Sequence, residues 1–93
     1  MIEITQSEGA DPMVFSVTLD GESTQTHHRV TLSRADAERL GAGKAAPVDC
    51  VEAAFRFLLD REPPGAILER FDISDISRYF PDFEQQFPSY VSR

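Results

Sequence analysis

The sequence has a single cysteine, no tryptophan and no long hydrophobic run. One cysteine, Cys50, cannot form a disulfide within the chain, which favours a reducing compartment. No apolar run approaches the ~20 residues that span a bilayer. The first residues also lack the basic and apolar regions of a secretory signal. We therefore expect a cytoplasmic protein of bacterial type.

Positive charge is scarce as well. The chain has 9 Lys and Arg against 16 Asp and Glu, and its net charge is −7. Residues 1–23 contain no Lys or Arg at all, and only residues 24–61 carry a slight positive excess. Binding to phosphate backbones or anionic membranes requires positive potential. The composition therefore argues against nucleic acid and membranes as partners.

The sequence contains no recognisable catalytic or metal-binding motif. His27 and His28 are neighbours in a predicted strand, so they should point to opposite faces and cannot chelate one metal ion together. Cys50 follows Asp49, whose charge disfavours a reactive thiolate. The glycines at 41–44 lack the full phosphate-loop pattern. We expect no enzymatic activity, no catalytic residue, no metal site and no cofactor.

The first part of the chain, residues 1–32, predicts an antiparallel β-meander of two to three strands. The segment 13–19 alternates apolar and polar residues, which is the period of a half-buried strand. Asp-Gly at 20–21 favours a hairpin turn, and the return strand lies within residues 23–32. Residues 1–6, in which Ile2 and Ile4 alternate with polar residues, would supply the third strand. The side chains expected to face inward are those of Met13, Phe15, Val17, Leu19, His28, Val30 and Leu32.

The second part, residues 33–81, predicts three to four helices. Ser33 can cap a first helix that ends at Gly41, and Pro47 suits the first turn of a longer one. That longer helix has a broad apolar face, which indicates contacts on two sides, either as the centre of a monomer or as a dimer seam. The face comprises Val48, Cys50, Val51, Ala54, Phe55, Phe57, Leu58 and Leu59.

The remaining helical signals are shorter. After the helix-breaking sequence at 62–65, residues 66–71 predict a turn of helix. Asp72 can then cap a helix that ends before Pro81. The order of elements predicts a single α+β domain over residues 1–93, with the helices packed on one face of the sheet. An aromatic C-terminal segment, 82–93, follows the helical part.

Aromatic residues are concentrated in residues 71–91, which hold most of the chain's Phe and Tyr. Helical spacing assigns Phe71, Ile76 and Phe80 to the fold. The helices before Pro81 are expected to leave little apolar core surface uncovered. The residues after Pro81 are therefore predicted to form a partner-binding surface or an end strap across the second helix. Those residues are Phe83, Phe87 and Tyr90. On this interpretation a chain ending at Pro81 should stay folded and lose binding.

The function that follows is contact with another protein, in a small cytoplasmic protein without enzymatic activity. A chain of this length has a thin core, so a homodimer is the expected form. Its partner would be a second copy or a different protein. The sequence does not identify the biological process, the partner or a ligand.

A second interpretation comes from strand 26–32 followed by helices at 34–40 and 47–60. This order resembles the ribbon-helix-helix proteins, a family of bacterial DNA-binding repressors and antitoxins. The resemblance implies that two such strands pair across a dimer and present outward side chains to the major groove. Those side chains would be His27, Arg29 and Thr31. The test is whether this strand pairs with residues 13–19 of its own chain or with its twin.

Overall fold

The computed structural model describes residues 1–21 and 23–91, and within them three strands of a four-stranded sheet precede the helices, while the fourth strand follows the second helix. The last two residues of the 82–93 segment lie outside the described part. The strands are β1 (Ile2–Glu8), β2 (Met13–Asp20), β3 (Gln25–Leu32) and β4 (Arg70–Asp72). The helices are α1 (Arg34–Gly41), α2 (Pro47–Leu59), α3 (Ile76–Tyr79) and α4 (Phe83–Val91). The predicted α+β class is confirmed.

The sheet has the order β1-β2-β3-β4. The first three strands form the predicted antiparallel meander, and β1 is a full strand. β4 is parallel to β3 and was not predicted. Residues 66–71 were predicted as a turn of helix, but the chain makes only a 3-10 turn at Pro64–Ala66 and then extends. This extended segment pairs with the free edge of β3, which provides hydrogen-bond partners for its backbone groups. One example is the 2.7 Å hydrogen bond from Arg29 N–H to Glu69 O.

The core lies between one face of the sheet and the helices. The side chains predicted to face inward from β2 and β3 are all buried, which confirms the assignment of faces. His28 is among them and is only 5% exposed. The opposite face of the sheet is polar, and it carries cross-strand contacts such as the 3.1 Å hydrogen bond between the Ser7 and Ser16 hydroxyls.

The caps of the first helices explain where they begin and end. The Ser33 hydroxyl accepts a 3.0 Å hydrogen bond from Asp36 N–H, as the sequence predicted. α1 ends at Gly41, and Ala42 adopts the left-handed conformation with φ 51°. A Cβ atom on Gly41 would lie 3.2 Å from Cys50 Sγ. A side chain at 41 would crowd Cys50, because the end of α1 approaches α2 closely.

α2 is the central helix, and its apolar face is covered by its own chain. It packs against β1, α1 and α4. Phe55 and Phe57 are both fully buried, whereas Val48, which was predicted to belong to the apolar stripe, is 39% exposed at the start of the helix. The two-sided contact predicted for α2 is therefore internal. The exposed positions of α2 are mainly polar, such as Asp49 and Arg56, so most of its predicted apolar face is not available to a second copy.

The assignment of the C-terminal aromatic residues as a partner-binding surface is corrected by the burial of α4. Phe83 and Phe87 are each 1% exposed. The ring of Phe83 lies 5.0 Å from that of Phe57 in an edge-to-face arrangement. Tyr90, the third residue assigned to that surface, is half-buried with its ring 5.7 Å from Phe57. These side chains complete the core, in agreement with the alternative of a strap across α2.

The predicted cap at Asp72 is present and yields a testable pH dependence. Its carboxylate accepts hydrogen bonds from Ser74 N–H at 3.0 Å and from the Thr31 hydroxyl at 2.5 Å. Asp75 accepts in turn from Asp72 N–H, which completes a capping box. Burial would raise the pKa of Asp72, but the hydrogen bonds from Ser74 and Thr31 outweigh that effect and lower the pKa below its usual value.

We expect Asp72→Ala to lower the free energy of unfolding by about 1–2 kcal/mol at pH 7. A lowered pKa means that the carboxylate stabilises the fold fully above about pH 4, the ordinary pKa of an unfolded Asp. This stabilisation is lost as the pH falls through the lower pKa of the folded state. Urea unfolding between pH 7 and pH 2 should show the variant converging on the unsubstituted protein. A cost that stays constant over this range, or an equal cost for the exposed control Glu3→Ala, would contradict the assignment.

Candidate functional site

Large apolar side chains are exposed at few places in the described residues. Four are exposed, namely Met1, Val48, Leu68 and Tyr79. Leu68 is 52% exposed and Tyr79 is 67% exposed, and both line the same cleft. Exposed apolar side chains that are scattered singly are ordinary, whereas these two line one concave surface, which makes the cleft the candidate site.

The cleft lies between the end of α2, the segment 62–68, β4 and α3, and its volume is about 270 Å³. Buried residues of the core, Leu58, Ile67 and Ile76, form part of its lining. The half-buried rings of Phe71 and Phe80 add to it. The surface is therefore mostly apolar, and its base is held by residues that the fold itself needs.

The charged groups in the lining of the cleft are two carboxylates, Glu62 and Asp75, without Lys or Arg. Asp75 is already engaged, because its Oδ2 accepts from Asp72 N–H at 3.1 Å and its Oδ1 lies 3.9 Å from Arg78 Nε. Glu62 forms no ion pair among the described residues. The cleft therefore presents negative charge next to an apolar surface.

The buried His28 positions the Leu68 wall of the cleft. Its Nδ1 lies 2.7 Å from Leu68 O, and its Nε2 lies 2.9 Å from Thr26 Oγ1. Since a carbonyl only accepts, Nδ1–H donates to Leu68. The imidazole ring also packs at 5.5 Å from the ring of Phe55. Sheet, central helix and cleft wall therefore meet at one side chain, whose two nitrogens are both engaged.

We expect His28→Ala to destabilise the fold by at least about 1–3 kcal/mol, because it leaves the Leu68 carbonyl without this donor and opens a cavity beside Phe55. The matched control is His27→Ala, since that neighbouring side chain is exposed and should change stability by less than about 0.5 kcal/mol. Urea unfolding measures the difference, and amide NMR shifts report on the Leu68 segment. Equal effects of the two substitutions, or unmoved Leu68 signals, would show that His28 does not hold the wall.

The residues assigned to DNA under the ribbon-helix-helix interpretation do face outward, on the other side of the sheet from the cleft. His27 and Arg29 are exposed, whereas Thr31 is half-buried and donates to Asp72. However, β3 pairs with β2 on one side and β4 on the other, both from its own chain. Residues 29–31 of β3 therefore have both edges paired within the chain, which differs from the intermolecular ribbon that the resemblance implies. The register does place Arg70 opposite Arg29, a pairing that sequence reasoning missed.

The end of α4 is tied to the end of α2 by polar contacts. The Arg61 guanidinium lies 3.6 Å from the centroid of the Phe57 ring and donates to Asp82 at 3.1 Å. It also donates to the Tyr90 hydroxyl at 3.3 Å, and that hydroxyl donates to Asp60 at 2.6 Å. Tyr90 therefore links the end of α4 to the end of α2.

The remaining reactive side chain, Cys50, is fully buried. Burial raises the pKa of its thiol, and the charge of Asp49 raises it further. A thiol held in this protonated state is a packing residue, as the sequence indicated. In residues 1–21 and 23–91 no group of three or more His, Cys, Asp or Glu is placed to hold a metal ion. No helix in the same part of the chain has both the length and the apolar character to cross a bilayer.

Leu68 and Tyr79 were not singled out by the sequence. Leu68 was grouped with the apolar residues of a predicted helical turn, and Tyr79 with the C-terminal aromatic residues. Their exposure depends on the path of the chain from the 3-10 turn at Pro64–Ala66 into β4. Neither the alternating nor the helical periodicity of apolar residues in a sequence predicts such a path of the chain.

No family model, no curated protein and no solved structure matches this chain. The cleft is therefore interpreted from its own chemistry. Its features are an apolar lining, two exposed apolar side chains and two carboxylates.

Proposed function

We propose that this protein is a non-enzymatic binding protein that recognises another protein through the cleft beside Leu68 and Tyr79. The observation that carries the proposal is the exposure of these two side chains on one concave apolar surface. Covering these two side chains with a partner would remove apolar surface from water, which favours association. The buried free thiol of Cys50 supports a reducing compartment, and we propose the cytoplasm.

The size of the cleft supports a macromolecular partner. Pockets that enclose small molecules have volumes of roughly 300–1,000 Å³. A cleft of about 270 Å³ that is walled by exposed side chains matches one or two inserted side chains better than an enclosed substrate. The charged side chains of its lining are the carboxylates Glu62 and Asp75, while His28 lies beneath the wall with both nitrogens engaged.

The homodimer that composition favoured receives less support. Its main argument was the broad apolar face of α2, which is covered by β1, α1 and α4 of the same chain. Its second argument was the set of C-terminal aromatic residues, of which Phe83 and Phe87 are buried. We therefore propose a different protein as the partner and treat self-association as a measurable alternative.

The test uses a photo-crosslinking amino acid at Tyr79 in the full-length protein in its host cell. We expect a discrete crosslinked product that contains one copy of this protein and one of another. The matched control places the same amino acid at Thr5, which is exposed on the opposite face of the sheet. Leu68→Ser should remove the product from position 79 and leave the fold intact, because Leu68 is half-exposed.

Four results would contradict the proposal. A product at twice the mass of the chain would establish self-association through the cleft. Equal labelling from positions 5 and 79, or labelling that survives Leu68→Ser, would show that the contact is not specific to the cleft. The absence of any product from position 79 would remove the cleft as the contact surface.

A further inference from the structure

We propose that the cleft binds a basic amphipathic segment of the partner. One or two large apolar side chains of that segment enter the cleft, and Lys or Arg residues beside them face Glu62 and Asp75. This inference rests on the proposed function and specifies the chemistry of the ligand.

The apolar part of the argument comes from shape. The cleft is short and bounded by the end of α2 on one side and α3 on the other. Helical ligands of such grooves place apolar anchors at positions i, i+3 or i+4, and i+7. Anchors that fill a preformed pocket supply most of the binding energy of an interface. The base of this pocket is preformed, because Leu58, Ile67 and Ile76 are buried members of the core.

The electrostatic part comes from the lining charges. Glu62 forms no ion pair among the described residues, and the Asp75 carboxylate is only partly offset by Arg78 at 3.9 Å. The whole chain carries a net charge of −7, which attracts a basic segment at long range and repels an acidic one. Complementary charge therefore selects basic residues at the edges of the apolar anchor.

A second copy of this chain fits the cleft less well for the same reason. A two-fold contact between clefts would bring Glu62 and Asp75 towards the same carboxylates of the other copy, without Lys or Arg in the lining to offset them. A stable dimer buries roughly 800 Å² per partner. Two exposed side chains, Leu68 and Tyr79, are too few to form the apolar centre of such an interface.

The test uses three synthetic helical peptides of equal length as probes. The first combines Leu anchors at i, i+3, i+4 and i+7 with Lys elsewhere. The second replaces every Lys by Glu, and the third has the composition of the first in scrambled order. Binding to the full-length protein is followed by fluorescence anisotropy and by amide NMR shifts. We expect the Leu/Lys helix to bind at least about tenfold more tightly than the other two and to shift the signals of Leu68, Ile76 and Tyr79.

Substitutions separate the two parts of the argument. Leu68→Ser should weaken binding of the Leu/Lys peptide by about tenfold or more. Glu62→Gln should weaken it by about two- to fivefold, as expected for a solvent-accessible ion pair, and the effect should fade at high salt. The control Glu3→Gln changes the net charge equally on the outer face of the sheet and should leave the affinity unchanged. Melting temperatures of the three variants verify that each is folded.

The outcomes distinguish this inference from the function on which it rests. Equal affinity for the Leu/Lys and Leu/Glu peptides would overturn the basic character of the ligand, and binding of the scrambled peptide would overturn its helical spacing. Equal effects of Glu62→Gln and Glu3→Gln would show that the peptide is attracted by the net charge of the protein and not by Glu62 in the cleft, which would overturn the electrostatic part of the inference. If the crosslink at Tyr79 forms but none of the probes binds, the protein-binding function stands and the inference is wrong.

Discussion

A chain that ends after Pro81 is expected to lose cooperative unfolding. The truncation removes Phe83 and Phe87, which are each 1% exposed, and uncovers Phe57 on α2. Replacing a buried Phe by Ala costs about 3–5 kcal/mol. Two such losses amount to roughly 6–10 kcal/mol, which lies within the range of about 5–15 kcal/mol for the whole stability of a domain.

Circular dichroism and urea unfolding of the truncated chain measure this effect directly. A full-length variant, Phe83→Ala with Phe87→Ala, separates the loss of the two rings from the loss of the helix itself. The matched control is Gln85→Ala, an exposed position on the same helix that should change stability by less than about 0.5 kcal/mol. A truncated chain that still unfolds cooperatively would show that α4 is an accessory strap, as the spacing after Pro81 had suggested.

The second large effect is expected at Phe55, which is fully buried at the centre of the fold. Its ring lies 5.5 Å from that of His28 and 5.8 Å from that of Phe71, so it joins β3, α2 and β4. Phe55→Ala should lower the free energy of unfolding by about 3–5 kcal/mol, because it removes apolar contacts and leaves a cavity that a close-packed core cannot fill.

Two substitutions on α2 serve as controls for Phe55→Ala. Phe55→Leu keeps most of the apolar volume and should cost less than about 1.5 kcal/mol. Val48→Ala changes a side chain that is 39% exposed and should have a small effect. The measurement is urea unfolding at one temperature for all three variants. A free energy of unfolding unchanged by Phe55→Ala would mean that Phe55 does not lie in the core.

Both effects bear on how the cleft is built. Phe71 lines the cleft and touches Phe55, and Phe80 lines it and lies 5.8 Å from Phe57. The base of the binding surface is thus continuous with the core. Substitutions at the base should lower stability and binding together, whereas substitutions at Leu68 and Tyr79 should affect binding alone. This separation identifies the exposed walls as the residues to vary in binding experiments.

Local patterns in the sequence were sufficient for the meander and the first two helices. Alternation in residues 13–19 placed the inward face of β2 correctly, because successive side chains of a strand point to opposite sides. Ser33 and Pro47 marked the starts of α1 and α2, because free N–H groups and a fixed φ act on the first turn of any helix. Asp72 was likewise correctly predicted as a cap.

Only the tertiary structure decided the parts that depend on distant residues. β4 is three residues long and exists because β3 offers a free edge, which no local period signals. The burial of Phe83 and Phe87 depends on whether α2 still has an uncovered side when the chain returns to it, and the spacing of aromatic residues is the same in either case. The exposure of Leu68 and Tyr79 follows from the same chain path. Sequence by itself determined which residues favour strand or helix, whereas the packing of separated segments decided which apolar side chains were covered and which were left to form the cleft.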